Sequence, residues 1–404
     1  MTRLPVIQAH QHRALKPLYD FATRDRTSFR PTPEICSKDF IPMSRIPFIE
    51  ARFFDPEETV DVIARRFAEH LRKLRSPTLP SFEQEDDAVN KESDEYYTIL
   101  DARDIRAINR RTERILERRK LASGLSHLRR EDRERLELLR NGAALIAIPD
   151  EHRADVMAAE LHTEMPWMAP ATEAVWQAMR RSVREGWPGL RLPPLLLDGP
   201  PGIGKSYWAR RLGDIIAVPT AVIEATGENA SFGVVGSQRG WGGSCPGRVI
   251  ETILQNRVAN PLIVVDEIEK AGLPVSTKGQ AFGLAEALLP LLEPMTARRW
   301  SCPYYQVKFD MSWIGWVLTS NSHRSLPGPL LSRCPPIALR HLTVAELTTF
   351  IRREGARKGL SEVATEALVE VLEHPSLRDV QPSLRVASRM LQRAADLESR
   401  PFLH

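Results

Sequence analysis

Cysteine is scarce in this chain of 404 residues, and the four present do not pair by spacing. Cys36, Cys245, Cys302 and Cys334 are scattered, with no CxxC and no histidine at zinc-ligand distance. That excludes a disulfide framework and a zinc module and reads as isolated reduced thiols. No apolar run approaches the ~20 residues a bilayer crossing needs. The start, "MTRLPVIQAHQHRALKPLYD", has no uninterrupted apolar core and does not read as a signal peptide. The expectation is a cytoplasmic chain without a membrane partner. An excess of one charge is missing too: 56 basic against 52 acidic residues leave +4. Any polyanionic partner must therefore be argued from local clustering. No repeat of solenoid period is present.

What is present is ordinary globular material, 42% hydrophobic and 27% charged, in a length that suggests two or three domains. Residues 1–95 begin with Pro- and aromatic-rich sequence without clear period, to which no function can be assigned. "DPEETVDVIARRFAEHLRKL" then places Val60, Ile63, Phe67 and Leu71 at helical spacing. "SPTLPSFEQEDDAVNKESDE" combines Pro, Ser and acids and reads as a linker. Residues 96–164 read as an arginine-rich helical region, with Ile105, Ile108, Ile115 and Leu116 as its apolar stripe. Arginine and glutamate at i,i+4 predict a solvated, ion-paired face, with a nucleic-acid or acidic-partner surface as the alternative.

Over residues 165–341 short apolar strands alternate with helices, the pattern of an α/β domain with a parallel sheet. The strands expected are "PLLLD" (194–198), "TAVIEA" (220–225), "PLIVVDE" (261–267), "IGWVLTSN" (314–321) and "PIALR" (336–340). Residues 342–404 turn helical, with Thr343 and Glu346 as a capping box and Ser361 and Ser383 as further N-caps.

Between the first strand and a helix stands Gly199-Pro200-Pro201-Gly202-Ile203-Gly204-Lys205-Ser206, which fits the P-loop pattern G-x-x-x-x-G-K-[ST] in the required strand–loop–helix context. Glycines let backbone N–H groups close around phosphate, and the helix start adds its positive dipole end. Lys205 is expected to reach the β and γ phosphates of a nucleoside triphosphate and Ser206 to coordinate Mg²⁺. Asp266 and Glu267 end the next apolar strand, placed to orient a metal-bound water and to polarise the attacking one. Asn321 ends another strand, where an amide holds water or γ-phosphate without adding charge.

These segments resemble the AAA+ ATPases, and specifically the ATPase portion of Lon-type proteases, over residues 165–400. The likeness is carried by "LLLDGPPGIGKSYWARRL", "RGWGGSCPGRVIETILQNRVANPLIVVDEIEKAG", "ALLPLLEP", "VLTSN" and "GPLLSRCPPIAL". The resemblance implies an AAA+ P-loop core with a parallel sheet, followed by a small helical lid; the region before them, which shows no such likeness, reads from its own residues as mostly helical. It implies Walker A at Lys205 and Ser206, Walker B at Asp266 and Glu267, and sensor 1 at Asn321. It further implies an arginine finger at Arg333 and sensor 2 at Arg385. Trp241, in "QRGWGGSCPG", matches a pore-loop aromatic that grips an unfolding polypeptide, although Gly242 departs from the family's bulky aliphatic. The cofactors implied are ATP and Mg²⁺.

The expectation is a homo-oligomeric ring, a hexamer by resemblance, that remodels or unfolds protein clients. The sequence stops at "SRPFLH" before any Ser–Lys peptidase, so a separate peptidase is a candidate partner. The alternative is a nucleic-acid-associated ATPase, such as a helicase loader or transposition regulator, motivated by the arginine run from Arg103 to Arg140. GTP is not excluded as the nucleotide; "HTEMPWMAP" is a candidate for reading the base.

Overall fold

The computed structural model describes residues 43–75, 100–226, 230–240, 243–271, 283–374 and 382–399. The chain's start, the linker at 76–95, Trp241 and Gly242 lie outside the described residues. The described residues form two compact units, one of residues 49–140 and one of the remainder.

The smaller unit contains α1 (Val60–Arg75), α2 (Ala102–Ala122) and α3 (Arg130–Glu137). The helices start where the chain supplies acceptors for orphan N–H groups. Asp101 accepts from the N–H groups of Arg103 and Asp104, and Asp104 accepts back from the Asp101 N–H, a capping box. Ile63 of α1 and Ile108 and Thr112 of α2 are buried, whereas Val60 and Ile105 from the expected apolar stripes are exposed. Those two stand at the edges of their stripes.

The larger unit opens with β1 (Met43–Ile46), which pairs antiparallel with β2 (Ala143–Ile146), Met43 opposite Ile146. β2 falls inside a stretch the periodicity assigns to helix. The reason is local: "AALI" is an apolar run with all four residues buried, too short to show a period. The buried Asn260 clamps this corner. Its side chain accepts from the Ile146 N–H at 2.9 Å and donates to the carbonyls of Ile146 and Leu190 at 2.8 and 3.2 Å.

Next come α4 (Glu151–Glu164), α5 (Ala169–Arg184), β3 (Leu195–Asp198), α6 (Lys205–Ile216), β4 (Thr220–Glu224), α7 (Ala230–Val235), α8 (Arg248–Asn256) and β5 (Leu262–Asp266). They are followed by α9 (Leu284–Leu292), α10 (Pro294–Ala297), the hairpin of β6 (Trp300–Ser301) and β7 (Lys308–Phe309), β8 (Gly315–Ser320), α11 (Gly328–Arg333) and β9 (Pro336–Ala338). The sheet is parallel with order β4-β5-β8-β3-β9, and all five expected strands are in it. All six residues of β8 and the first four of β5 are buried, which is why they read as unbroken apolar runs. Packing Leu195, Leu197, Val264 and Val317 against Trp208, Leu212 and Val175 makes the main core.

After β9 the described residues form three helices, α12 (Val344–Lys358), α13 (Glu362–Glu373) and α14 (Leu384–Glu398). They enclose a small core of Leu347, Ile351, Val369, Leu372, Ala387 and Leu391. Thr343 and Glu346 form the expected capping box, and Ser361 accepts from the Ala364 N–H. Ser383 stands at the N-cap of α14 but makes no side-chain cap bond.

Candidate functional site

The carboxyl ends of β3, β5 and β8 lie side by side, Asp198 opposite Ser320 and Val265 opposite Leu318. The chain leaving each of these ends supplies a different part of the site, where open parallel sheets place ligands.

From β3 the chain enters the loop 199–204, in which Gly202 and Gly204 have φ of +76° and +94°. Those values strain any side-chain-bearing residue, and a Cβ on Gly202 would stand 2.8 Å from the Ser383 Cβ. The lid is bonded here as well: the Leu384 N–H donates to the Gly202 carbonyl at 3.0 Å. Buried Ile203 turns its carbonyl to the Trp167 indole N–H at 2.8 Å. Lys205 opens α6 and folds back, donating to the carbonyls of Gly199 and Pro200 at 2.7 and 2.9 Å and to Asn321 Oδ1 at 3.1 Å. Burial of the ammonium holds its pKa below the usual lysine value, against Glu269, Asp198, Asp266 and Glu267, which favour the charge.

Ser206 donates to Asp266 Oδ1 at 2.6 Å, and Thr319 donates to the same oxygen at 2.5 Å. Thr319 Oγ1 in turn accepts from the Glu267 N–H at 3.0 Å. Glu267 has φ +56°, rare for a residue with a side chain. Such strain persists only where neighbours fix it, and this bond to Thr319 is one such neighbour. The Glu267 carboxylate pairs with Lys270 at 2.7 Å and lies 3.5 Å from Asn321 Nδ2.

Two residues that sequence reasoning missed stand out. Glu269 accepts from both the backbone N–H and the side-chain amide of Asn321, at 3.1 and 2.8 Å. Its other oxygen is buried without a partner. The signal was present in "DEIEK", an acid two positions beyond Glu267. His323 Nδ1 lies 2.6 Å from Asp198 Oδ2, linking the end of β3 to the chain after Asn321.

A cavity of about 920 Å³ opens over this network, walled by Met165 and Trp167 on one side and by Phe350, Leu384 and Arg385 of the lid on another. Gly202, Gly204, Lys205, Ser206, Asp266, Glu267 and Asn321 all line it, and two residues of "HTEMPWMAP" do so as well. Arg333 does not. It ends α11, donates to the Pro329 carbonyl at 3.1 Å and lies 3.7 Å from Glu293.

The donor set suits a hard divalent cation. Ser206 and Asp266 offer adjacent oxygens, and no group of three His, Cys, Asp or Glu side chains among the described residues could hold a metal by itself. Mg²⁺ is commonly bound this way, by one carboxylate and a hydroxyl together with phosphate oxygens. Among the described residues no cysteine lines the cavity. Burial pushes the Cys302 and Cys334 thiols up to about 11 and about 12.

Residues 195–341 match the family model described as "ATPase family associated with various cellular activities (AAA)". The chain is 30% identical over 194 residues to a Lon protease of Bacillus thuringiensis (strain Al Hakam), covering 46% of this chain and 24% of that protein. It is 28% identical over 235 residues to a Lon protease of Desulfovibrio desulfuricans, covering 55% of this chain and 26% of that protein. It is 34% identical over 165 residues to the peroxisomal Lon protease homolog 2 of Zea mays, covering 41% and 18%. The chain thus spans about a quarter or less of the length of these relatives. Residues 195–341, which hold this sheet and this loop, are thus the part of the chain that matches the AAA family of ATPases.

Proposed function

We propose that the chain hydrolyses ATP with Mg²⁺ at this cavity and, assembled in a ring of copies (six by resemblance), uses the energy to remodel or unfold protein. The observation carrying the reading is the bonded path Lys205–Asn321–Glu269 beside Ser206–Asp266–Thr319–Glu267. The roles assigned to these groups are the following. The loop N–H groups and Lys205 would receive phosphate oxygens, and Ser206 and Asp266 would hold the metal, which would supply neutralisation of phosphate charge. Glu267 takes the proton from the attacking water, and Asn321 orients that water or the γ-phosphate. Arg385 approaches from the lid. Arg333, standing outside its own cavity, supports assembly: its guanidinium serves a neighbouring copy's phosphates.

The protein client rests on Trp241 and on the relatives, which are named as proteases. The test is phosphate release by the purified chain with and without Mg²⁺ and with unfolded casein. Wild type is expected to turn over and to be stimulated. Glu267→Gln should bind ATP without hydrolysis, Arg333→Ala should bind ATP with turnover lost, and Trp241→Ala should keep basal turnover without stimulation. No metal-dependent phosphate release would end the hydrolytic reading, and equal stimulation of Trp241→Ala would end the threading one.

A further inference from the structure

We propose that the exposed side of α2 is a binding rail for a phosphodiester polyanion, a nucleic-acid backbone, built from Arg103, Arg106, Arg110, Arg114 and Arg118. Steps of three and four residues on a 3.6-residue period keep all five on one side of the helix. Every one is exposed, while Ile108 and Thr112 bury the opposite side.

Several other basic residues of these helices are used by the fold. Arg75 forks onto Asp104 at 2.6 and 2.9 Å, and Arg111 lies over the Phe67 ring at 5.2 Å. Arg119 pairs with Glu58 at 2.7 Å and lies over Phe54 at 5.4 Å. The rail is different. Among the described residues, none of its five guanidiniums has an acidic partner; Arg106 and Arg110 donate back to the carbonyls of Ala102 and Arg106. Glu113 and Glu117 share the exposed surface and take no part in an ion pair with them. The i,i+4 ion pairing expected from the sequence is therefore absent from this row among the described residues, although Arg130 and Glu134 of α3 form such a pair at 2.7 Å.

A row of like charges at i,i+4 weakens a helix, and no ion pair among the described residues offsets that repulsion. An external anion would. Successive arginines rise about 4.5 or 6 Å along the axis, and the row spans about 22 Å. A phosphodiester chain presents one anion per unit along such a line, and the guanidinium fork meets phosphate oxygens in pairs. Nothing here reads bases, so the binding is indifferent to sequence.

The rail does not depend on hydrolysis, and its test is separate. The full chain is titrated against a fluorescein-labelled DNA duplex of arbitrary sequence while anisotropy is followed from about 50 to about 200 mM salt. Five phosphate contacts predict a log K against log salt slope of about −4.5, an affinity loss of about 500-fold over that range. Replacing Arg106 and Arg114 with Gln should flatten the slope to about −2.7, a loss of about 40-fold. The variant with all five changed to Gln, checked for unchanged helical circular dichroism, should show no salt-dependent binding. Glu267→Gln should bind the duplex as wild type does, so a failed ATPase and a failed rail are told apart. A flat wild-type slope overturns the proposal, as does undiminished binding by the five-fold variant. Tighter binding of polyglutamate than of DNA at matched salt also overturns it and assigns the row to an acidic protein.

Discussion

Replacing Glu269 tests the site's wiring more sharply than replacing a residue that touches the nucleotide. Its Oε1 receives both donors of Asn321, at 3.1 and 2.8 Å, and Asn321 Oδ1 faces Lys205 at 3.1 Å. Without the carboxylate, the amide of Asn321 can rotate and Lys205 loses one of the carboxylates that favour its charge. Hydrogen bonds to a charged group are worth about 1.5–3 kcal/mol each. Loss of positioning on that scale slows the chemical step about 10- to 100-fold, at 1.4 kcal/mol per factor of ten. Glu269→Ala is therefore expected to lower kcat for phosphate release by that amount while the Kd for a non-hydrolysable ATP analogue shifts by less than about threefold. Glu269→Gln keeps one acceptor oxygen and should lie between Ala and wild type. A kcat within twofold of wild type for both variants would refute the argument, as would parallel loss of binding and turnover, which would mean the residue supports the loop as a whole.

Two further predictions concern stability. Asn260→Ala removes one accepted and two donated bonds at the corner of Ile146 and Leu190, leaving buried backbone groups unpaired. The cost is about 3 kcal/mol, seen as a Tm lower by roughly 6–12 °C in a unit of this size; an unchanged Tm would contradict it. Burial of His162 in α4 holds its pKa below the ordinary 6.5. The folded state then binds fewer protons than the unfolded one, so this contribution is complete above about pH 6.5 and is lost as pH falls through the folded value. His162→Phe should lose less urea resistance than wild type between about pH 7.5 and 5.5. Parallel losses in the two proteins would show that the imidazole is not responsible.

The parts of the site that are contiguous in the chain were legible before any coordinates. A P-loop is a backbone conformation, and Gly202 and Gly204 betray it because few other residues tolerate φ near +80°. The buried parallel strands were legible because both faces are covered, which forces continuous apolar runs such as Leu262–Val265. The helix starts at Asp101 and Thr343 follow from acceptors a few residues away. Short strands were not legible. β2 and the β6–β7 hairpin hold four and two residues per strand, fewer than a period needs to declare itself.

The sequence by itself determined the chemistry on offer: a phosphate-cradling loop, a lysine, a hydroxyl, and two acids at a strand end, all set by residue type and local spacing. Tertiary structure alone decided how those groups are wired. Asn321 and Glu269 lie 52 residues apart, and Asn260 and Ile146 lie 114 apart. It also decided that the arginines of α2 diverge, Arg119 to Glu58 and five others outward. The physical reason is common to all of these. Which partner a polar side chain finds depends on what strand register and helix packing bring to it, and local sequence does not carry that distance.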